Sequence, residues 1–185
     1  MKEIVQKNDK VLRQNAKEIP IKEITTPKIK KILKEMSVAL KSQNDGVAIA
    51  APQIGYSLSI FLVSGKIFAK GFMENREERL AGKKSIDDVI KTEKKIKDII
   101  FINPKISKLS REKDWLPEGC LSVRWLYGKA YRSKKATITA YDELGKKFTR
   151  GASGLLAQIF QHETDHLNGV LFIDHAKDIK EELPK

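Results

Sequence analysis

The stretch from Gly154 to Gly169 reads GLLAQIFQHETDHLNG. With Ser153 as a candidate N-cap and Asn168-Gly169 as a stop signal, it predicts a helix over about Gly154 to Leu167. Inside it His162, Glu163 and His166 spell H-E-x-x-H, and two of the three histidines in the chain lie in this one turn. Side chains at i and i+4 stack on one face of a helix, so both imidazoles can reach one metal ion. Glu163, rotated by one position, then sits where a base beside a metal-held water belongs. Three specific residue types coincide on a predicted helix, which favours a metal site over two unrelated histidines and an exposed glutamate.

A catalytic site of this kind needs a third protein ligand and an open position. The longer pattern H-E-x-x-H-x-x-G-x-x-H is excluded, because Gly169 fills its glycine position but Phe172 stands where its last histidine would be. Glu181 and Glu182 belong to a charged tail with little to hold it rigid. His175 lies beyond Gly169 and reads as a partly exposed structural residue. Cys120, in Glu118-Gly119-Cys120-Leu121-Ser122, remains, and a thiolate with two imidazoles is a chemically sound ligand set.

Working outward, Thr26 and Pro27 read as N-cap and first residue of an N-terminal helix. Its apolar face is Ile29, Ile32, Leu33, Met36 and Leu40, and it should end near Asn44 to Gly46. Short β-like runs follow at Leu58 to Val63, Ile99 to Ile102 and Ala136 to Tyr141. The last is joined through Asp142-Glu143-Leu144-Gly145 to Lys146 to Arg150 as a hairpin. Residues 66–97 mix both charge signs and read as a charged insertion, a mobile surface loop or solvated helical excursion. The expected architecture is α+β: mixed or antiparallel sheets around a central H-E-x-x-H helix, plus the N-terminal amphipathic helix, in a single catalytic domain over residues 1–185.

Composition bounds the function classes. The chain has 185 residues, 41% of them hydrophobic, a size that forms one domain with a real core. One cysteine cannot form an intrachain disulfide, so a reducing compartment is the simpler inference. No stretch approaches the roughly 18 apolar residues of a membrane span, and MKEIVQKNDK lacks the apolar core of a signal peptide. The expected location is the cytoplasm. A net charge of +12 suggests affinity for anionic surfaces such as nucleic acid, without naming an activity.

Three segments carry a family resemblance: GVAIAAPQIG (Gly46 to Gly55), EGCLS (Glu118 to Ser122) and QHETDHLNG (Gln161 to Gly169) resemble the three motifs of peptide deformylase, in the family's order. Leu12-Arg13, Ala16 and the exit strand GVLFID are similar as well. The resemblance implies a metallohydrolase that removes the formyl group from the N-terminal formyl-methionine of nascent polypeptides. It implies Cys120, His162 and His166 as ligands of one divalent metal ion, Fe2+ first, with Zn2+, Ni2+ and Co2+ compatible. Glu163 would shuttle the proton, while the Gln53 side-chain amide and the Leu121 backbone N–H would stabilise the oxyanion.

Further residues follow from the same motifs. Val47, Leu155 and the stem of Gln158 are candidates for the pocket that takes the methionine side chain. Gly46 reads both as a helix C-cap and as a point of close backbone approach, and Gly119 as leaving room for substrate. Asp165 is a candidate for orienting a ligand histidine or a nearby arginine, and Ser122 a weaker candidate. A peptide would lie between the helix and the strand-like Gly46 to Gln53 segment by backbone-to-backbone contact. Ala48 departs from the family's usual second glycine in the first motif, Pro117 precedes Glu118 in place of a more usual residue, and the insertion at 66–97 lengthens a connection.

Two other readings compete. A zincin-type metallopeptidase shares the helix motif but would keep its metal without Cys120. A basic ribosome- or RNA-binding module is motivated by Lys28 to Lys34 and Lys129 to Lys135, but no base-reading motif accompanies them.

Overall fold

The computed structural model describes residues 2–70, 72 and 96–183. Most of the charged insertion expected at 66–97 therefore lies outside the described residues.

Helix α1 spans Pro27–Lys41 and buries Ile29, Ile32, Leu33, Met36, Ala39 and Leu40, the stripe its helical spacing predicts. Its N-terminal flank is Thr26, but that hydroxyl donates to the carbonyl of Glu23 at 2.7 Å and caps nothing in α1. The helix also stops earlier than expected, because Ser42 donates its hydroxyl to the carbonyl of Ala39 at 2.8 Å and closes the last turn.

Five strands form an antiparallel sheet in the order β1 (Ala48–Ala50), β2 (Ile60–Val63), β3 (Ile99–Leu109), β6 (Lys135–Tyr141), β7 (Lys147–Ser153). A second sheet has three strands, β4 (Lys113–Gly119), β5 (Leu126–Ser133) and β8 (Lys177–Glu181). Helix α2 spans Gly154–Leu167, the bounds read from sequence, although Ser153 makes no side-chain capping bond. Antiparallel sheets with two helices make the fold α+β.

Both faces of the larger sheet are covered. Along β2 and β3 the side chains of Ile60, Leu62 and Ile102 pack into the cluster under α1. Their alternates Phe61, Val63 and Phe101 pack with Ala157, Ile159 and Phe160 of α2. This explains why β2 is an unbroken apolar run and not an alternating one. Phe61 stacks on Phe101 at 4.6 Å, and Phe160 meets Phe101 edge-on at 5.2 Å, so the helix carrying the histidines is fixed to the sheet by ring contacts.

Several boundaries differ from the sequence reading. Leu58 makes an isolated bridge to Lys17 ahead of β2, and β3 runs on to Leu109 through two register shifts. The expected exit strand after Gly169 is a 3₁₀ turn, Phe172–Asp174, in which the Asp174 carboxylate accepts from the Leu171 N–H at 2.9 Å. The tail expected to be loose reaches β8, where Glu181 pairs with Leu126. Among the described residues no helix is long and apolar enough to cross a membrane.

Candidate metal centre

Helix α2 offers His162 and His166 from successive turns, and Cys120 follows directly on the end of β4. The ligand atoms of these three residues all lie within 4.8 Å of one another. Cys120 Sγ is 3.2 Å from His166 Nε2. His162 Nδ1 is engaged by Glu118 Oε2 at 3.0 Å, which leaves its Nε2 for the ligand group. A carboxylate behind a ligating imidazole fixes its tautomer and ring orientation.

Glu118 is itself held. Arg132 donates to its two oxygens at 2.8 and 3.0 Å, and another guanidinium nitrogen donates to Asp165 Oδ2 at 2.6 Å. Burial pushes the Glu118 pKa up, but the hydrogen bonds from His162 and Arg132 outweigh it and hold the carboxyl far below its usual range. Burial likewise opposes the Arg132 charge, and Glu118 and Asp165 more than restore it. A chain Asp165–Arg132–Glu118–His162 thus runs from the helix surface to the ligand group.

Glu163 is 4% exposed, and its Oε2 has no hydrogen-bond partner among the described residues. Burial raises its pKa to about 7, with the His162 charge opposing and Glu118 and Asp165 adding. Burial, reinforced by the neighbouring His162 charge, also holds His166 neutral, the form that ligates a metal. Burial disfavours the charged form of His162, yet Cys120 and Glu118 outweigh it and raise its pKa well above normal. A cysteine sulfur and two imidazoles drawn together, one ring held from behind by Glu118, beside an unpartnered carboxylate oxygen, fit a divalent cation. The donor types agree.

Gln53 sits in the 3₁₀ turn Ala51–Ile54 and is 2% exposed. Its Oε1 accepts from the Ala50 N–H at 2.8 Å, while its Nε2 donates to Ser122 Oγ at 3.2 Å and lies 3.5 Å from Cys120 Sγ. The accepting oxygen is occupied, so the amide N–H side is turned toward the ligand group.

One cleft joins these groups: Gly46, Val47, Ala48, Gln53, Gly119, Leu121, Leu155, Gln158 and Ile159 line it together with Cys120, His162 and Glu163. Every catalytic and substrate-binding candidate read from sequence lines it. His175 does not join the ligand group; its Nε2 is 3.9 Å from Asp165, and Glu181 and Glu182 lie on the exposed β8 side. Gly46 is not the C-cap of α1, which is Ser42; a Cβ there would crowd the tips of Leu40 at 3.0 Å and Leu121 at 3.3 Å. The room expected beside Gly119 is taken by the Tyr127 ring, 2.6 Å from where its Cβ would be. Gln158 straps α2 to β4 by donating to the Pro117 carbonyl at 2.9 Å.

Sequence reasoning missed Glu118 as the partner of His162, along with Arg132, Arg124, Tyr127 and Asp45. Arg132 lies in the run read as a basic surface cluster, yet its side chain is 7% exposed. A usable signal was its alternation on β5, which turns residues 128, 130 and 132 inward while Lys129 and Tyr131 face solvent.

A thiolate, two imidazoles and a buried carboxylate on an α+β scaffold define a candidate mononuclear metal centre of hydrolase type. A family model for polypeptide deformylase matches residues 1–182. A peptide deformylase of Carboxydothermus hydrogenoformans is 37% identical over 95% of this chain and 93% of its own length. That of Borreliella burgdorferi is 37% identical over 91% and 83%. The crystal structure of a Synechococcus elongatus peptide deformylase in complex with actinonin matches 95% of this chain and 78% of that one, with a TM-score of 0.72 and 28% identity. The chain belongs to the polypeptide deformylase family.

Proposed function

We propose that this chain hydrolyses the formyl amide of N-terminal formyl-methionine on newly made polypeptides, giving formate and a free amine. The observation that carries this reading is the convergence of Cys120, His162 and His166 beside Glu163 and Gln53 in one cleft, in a chain of this family. Cys120, His162 and His166 would hold the metal. A divalent ion there, Fe2+ in our reading with Zn2+, Ni2+ or Co2+ suited by the same donors, supplies Lewis acidity that makes water nucleophilic near neutral pH.

The remaining steps belong to the chain's own side chains. Glu163, buried and unpartnered at Oε2, takes the proton from the attacking water and returns it to the departing amine nitrogen, which leaves only when protonated. The Gln53 amide, aimed by Ala50 and Ser122, donates to the developing oxyanion together with the Leu121 backbone N–H. Val47, Leu155 and the Gln158 stem receive the methionine side chain, and the peptide backbone runs along Gly46 to Gln53 in strand fashion. Gly119 and the Tyr127 ring over it form the wall facing that backbone.

The same reading treats residues 1–185 as one catalytic domain working in the cytoplasm. The +12 charge supports work close to ribosomal RNA, which co-sedimentation with ribosomes at low salt would register and its absence would remove.

The direct test is formate release from a short formyl-methionyl peptide by anaerobically purified protein. Glu163→Gln should lower the rate about 10²- to 10⁴-fold and leave the metal content intact. No release by the parent protein with iron, nickel or cobalt would overturn the reading.

A further inference from the structure

The three-stranded sheet turns one face to solvent, and that face combines aromatic rings with lysines. Trp115 of β4 stands opposite Tyr131 of β5, and their ring centroids are 5.1 Å apart. Trp115 is 36% exposed and Tyr131 51%. Lys177 of β8 holds its ammonium 4.4 Å from the centre of the Trp115 ring, and Lys113 of β4 holds its own 5.6 Å from that of Tyr131. Alternation puts Lys129 on the same side of β5 as Tyr131, and Lys129 stands opposite Lys177.

The sheet does not cancel this charge. Lys113 and Lys177 make no ion pair among the described residues. Lys129 pairs with Asp178 at 3.1 Å. Asp114 belongs to the other side of β4, opposite Arg132, and accepts from the Trp115 N–H at 2.8 Å. Glu112, just before β4, is taken by Lys134 at 2.7 Å. Toward the other end of the strands Lys180 and Glu182 follow, of opposite sign. Around the two rings, therefore, Lys113, Lys129 and Lys177 face the one carboxylate of Asp178.

We infer that this face binds a single-stranded stretch of RNA, with Trp115 and Tyr131 stacking on bases and Lys113, Lys129 and Lys177 meeting phosphates. Every base has a face to stack, so such binding tolerates any sequence and needs no base-reading motif. A cross-strand ring pair can stabilise a sheet unaided, but it calls for no unpaired lysines over its rings. An ammonium over an exposed ring is a weak contact; a base that takes the ring face displaces it and leaves it beside the adjoining phosphate. An acidic peptide would use the lysines and leave the rings bare. Gly119 and Tyr127 lie on the same face and line the metal cleft, four residues or about 13 Å of strand from the rings. The choice of RNA over DNA rests on the deformylase reading, which puts the protein where polypeptides are made.

The rings and the lysines leave different signatures. The probe is a labelled oligo(A) RNA of about 12 nucleotides, followed by fluorescence anisotropy with the full chain. The parent should bind it at low salt with a Kd of about 10⁻⁶ to 10⁻⁴ M. Trp115→Leu should weaken binding about 5- to 100-fold and leave the salt dependence unchanged. Lys177→Gln should weaken it less and make the slope of log K against log salt shallower by about 0.7. Unlabelled oligo(A) should quench the tryptophan emission of the parent and not that of Trp115→Leu, whose signal comes from Trp125. Both variants should release formate from a short formyl-methionyl peptide at the parent rate, which shows that they are folded. Should Trp115→Leu not fold, Tyr131→Leu carries the same expectation for affinity and salt dependence.

No binding by the parent at low salt would overturn the inference, and so would duplex RNA of the same length bound more tightly than the single strand. Ring variants that bind as the parent does, or displacement of the RNA by an equal weight of poly(glutamate), would overturn it as well, since the face would then answer to charge alone. Formate release is read separately in the same samples, so a protein that binds RNA without releasing formate fails the deformylase reading instead.

Discussion

At the residue scale the site depends on carboxylates that do not touch the ligand position. Glu118 meets His162 with one oxygen and Arg132 with both, and these partners overcome the upward push of burial on its pKa. Its ionised state is maintained by partners 14 and 44 residues away in the chain. Glu118→Gln keeps the shape but removes the charge that fixes the His162 tautomer and neutralises Arg132. Metal affinity should fall about 10- to 100-fold, measured by competition with a chromogenic chelator. An unchanged affinity would show that the His162 ring is oriented by its packing alone, against Phe172 for instance, whose ring centroid is 6.3 Å away.

At the scale of elements, α2 must end where the chain can turn sharply under the N-terminal segment. Gly169 has φ +72°, and a Cβ there would stand 2.8 Å from the Arg13 carbonyl carbon. Gly55 has φ +85° with nothing within 4 Å, so it isolates the conformational cost from the steric one. Gly55→Ala should cost about 1 kcal/mol, and Gly169→Ala clearly more, as read by urea denaturation of the two variants. Equal costs would mean that the backbone at Arg13 yields freely.

The two helices were legible because each carries a local signal: a 3.6-residue apolar stripe under α1, and a serine before and Asn-Gly after α2. Strands β4, β5 and β8 were not read from sequence. Their pattern is interrupted by Pro117, Gly128 and paired charges, and the sheet they form has one face in solvent. The candidate ligands were legible for the same reason as α2, since two of them share a turn and the third is the chain's one cysteine. Asp165 was legible as a carboxylate for a nearby arginine, and the structure supplies Arg132; the roles of Arg132 and Glu118 were not legible, because they lie on separate strands and each alone resembles a surface charge.

At the scale of the whole molecule, the segment before α1 and the turn after α2 are tied by Arg13, which reaches the two oxygens of Asp174 at 2.5 and 3.1 Å across 161 residues. Leu12, beside Arg13, packs in one cluster with Val123, Leu171 and Phe172, so the ion pair caps an apolar contact between distant parts of the chain. The Arg13 hydrogen bond, less a smaller opposing effect of burial and helped by the Leu171 N–H, lowers the Asp174 pKa. A carboxyl with a depressed folded pKa binds fewer protons folded than unfolded in the window just below its ordinary value of 3.8. Stability from this group is therefore fully present above that value and is lost as pH falls through the folded pKa. Asp45, held low by Arg124 against its own burial, acts in the same direction. Asp174→Asn should lower the melting temperature at pH 6 and flatten its fall between pH 5 and 3, as followed by circular dichroism of matched metal-free samples. The parent and variant curves should converge at the acid end. If they instead run parallel through pH 3, the Arg13–Asp174 tie contributes through its shape and hydrogen bonds, and its charge adds nothing to the closure of the chain around α2.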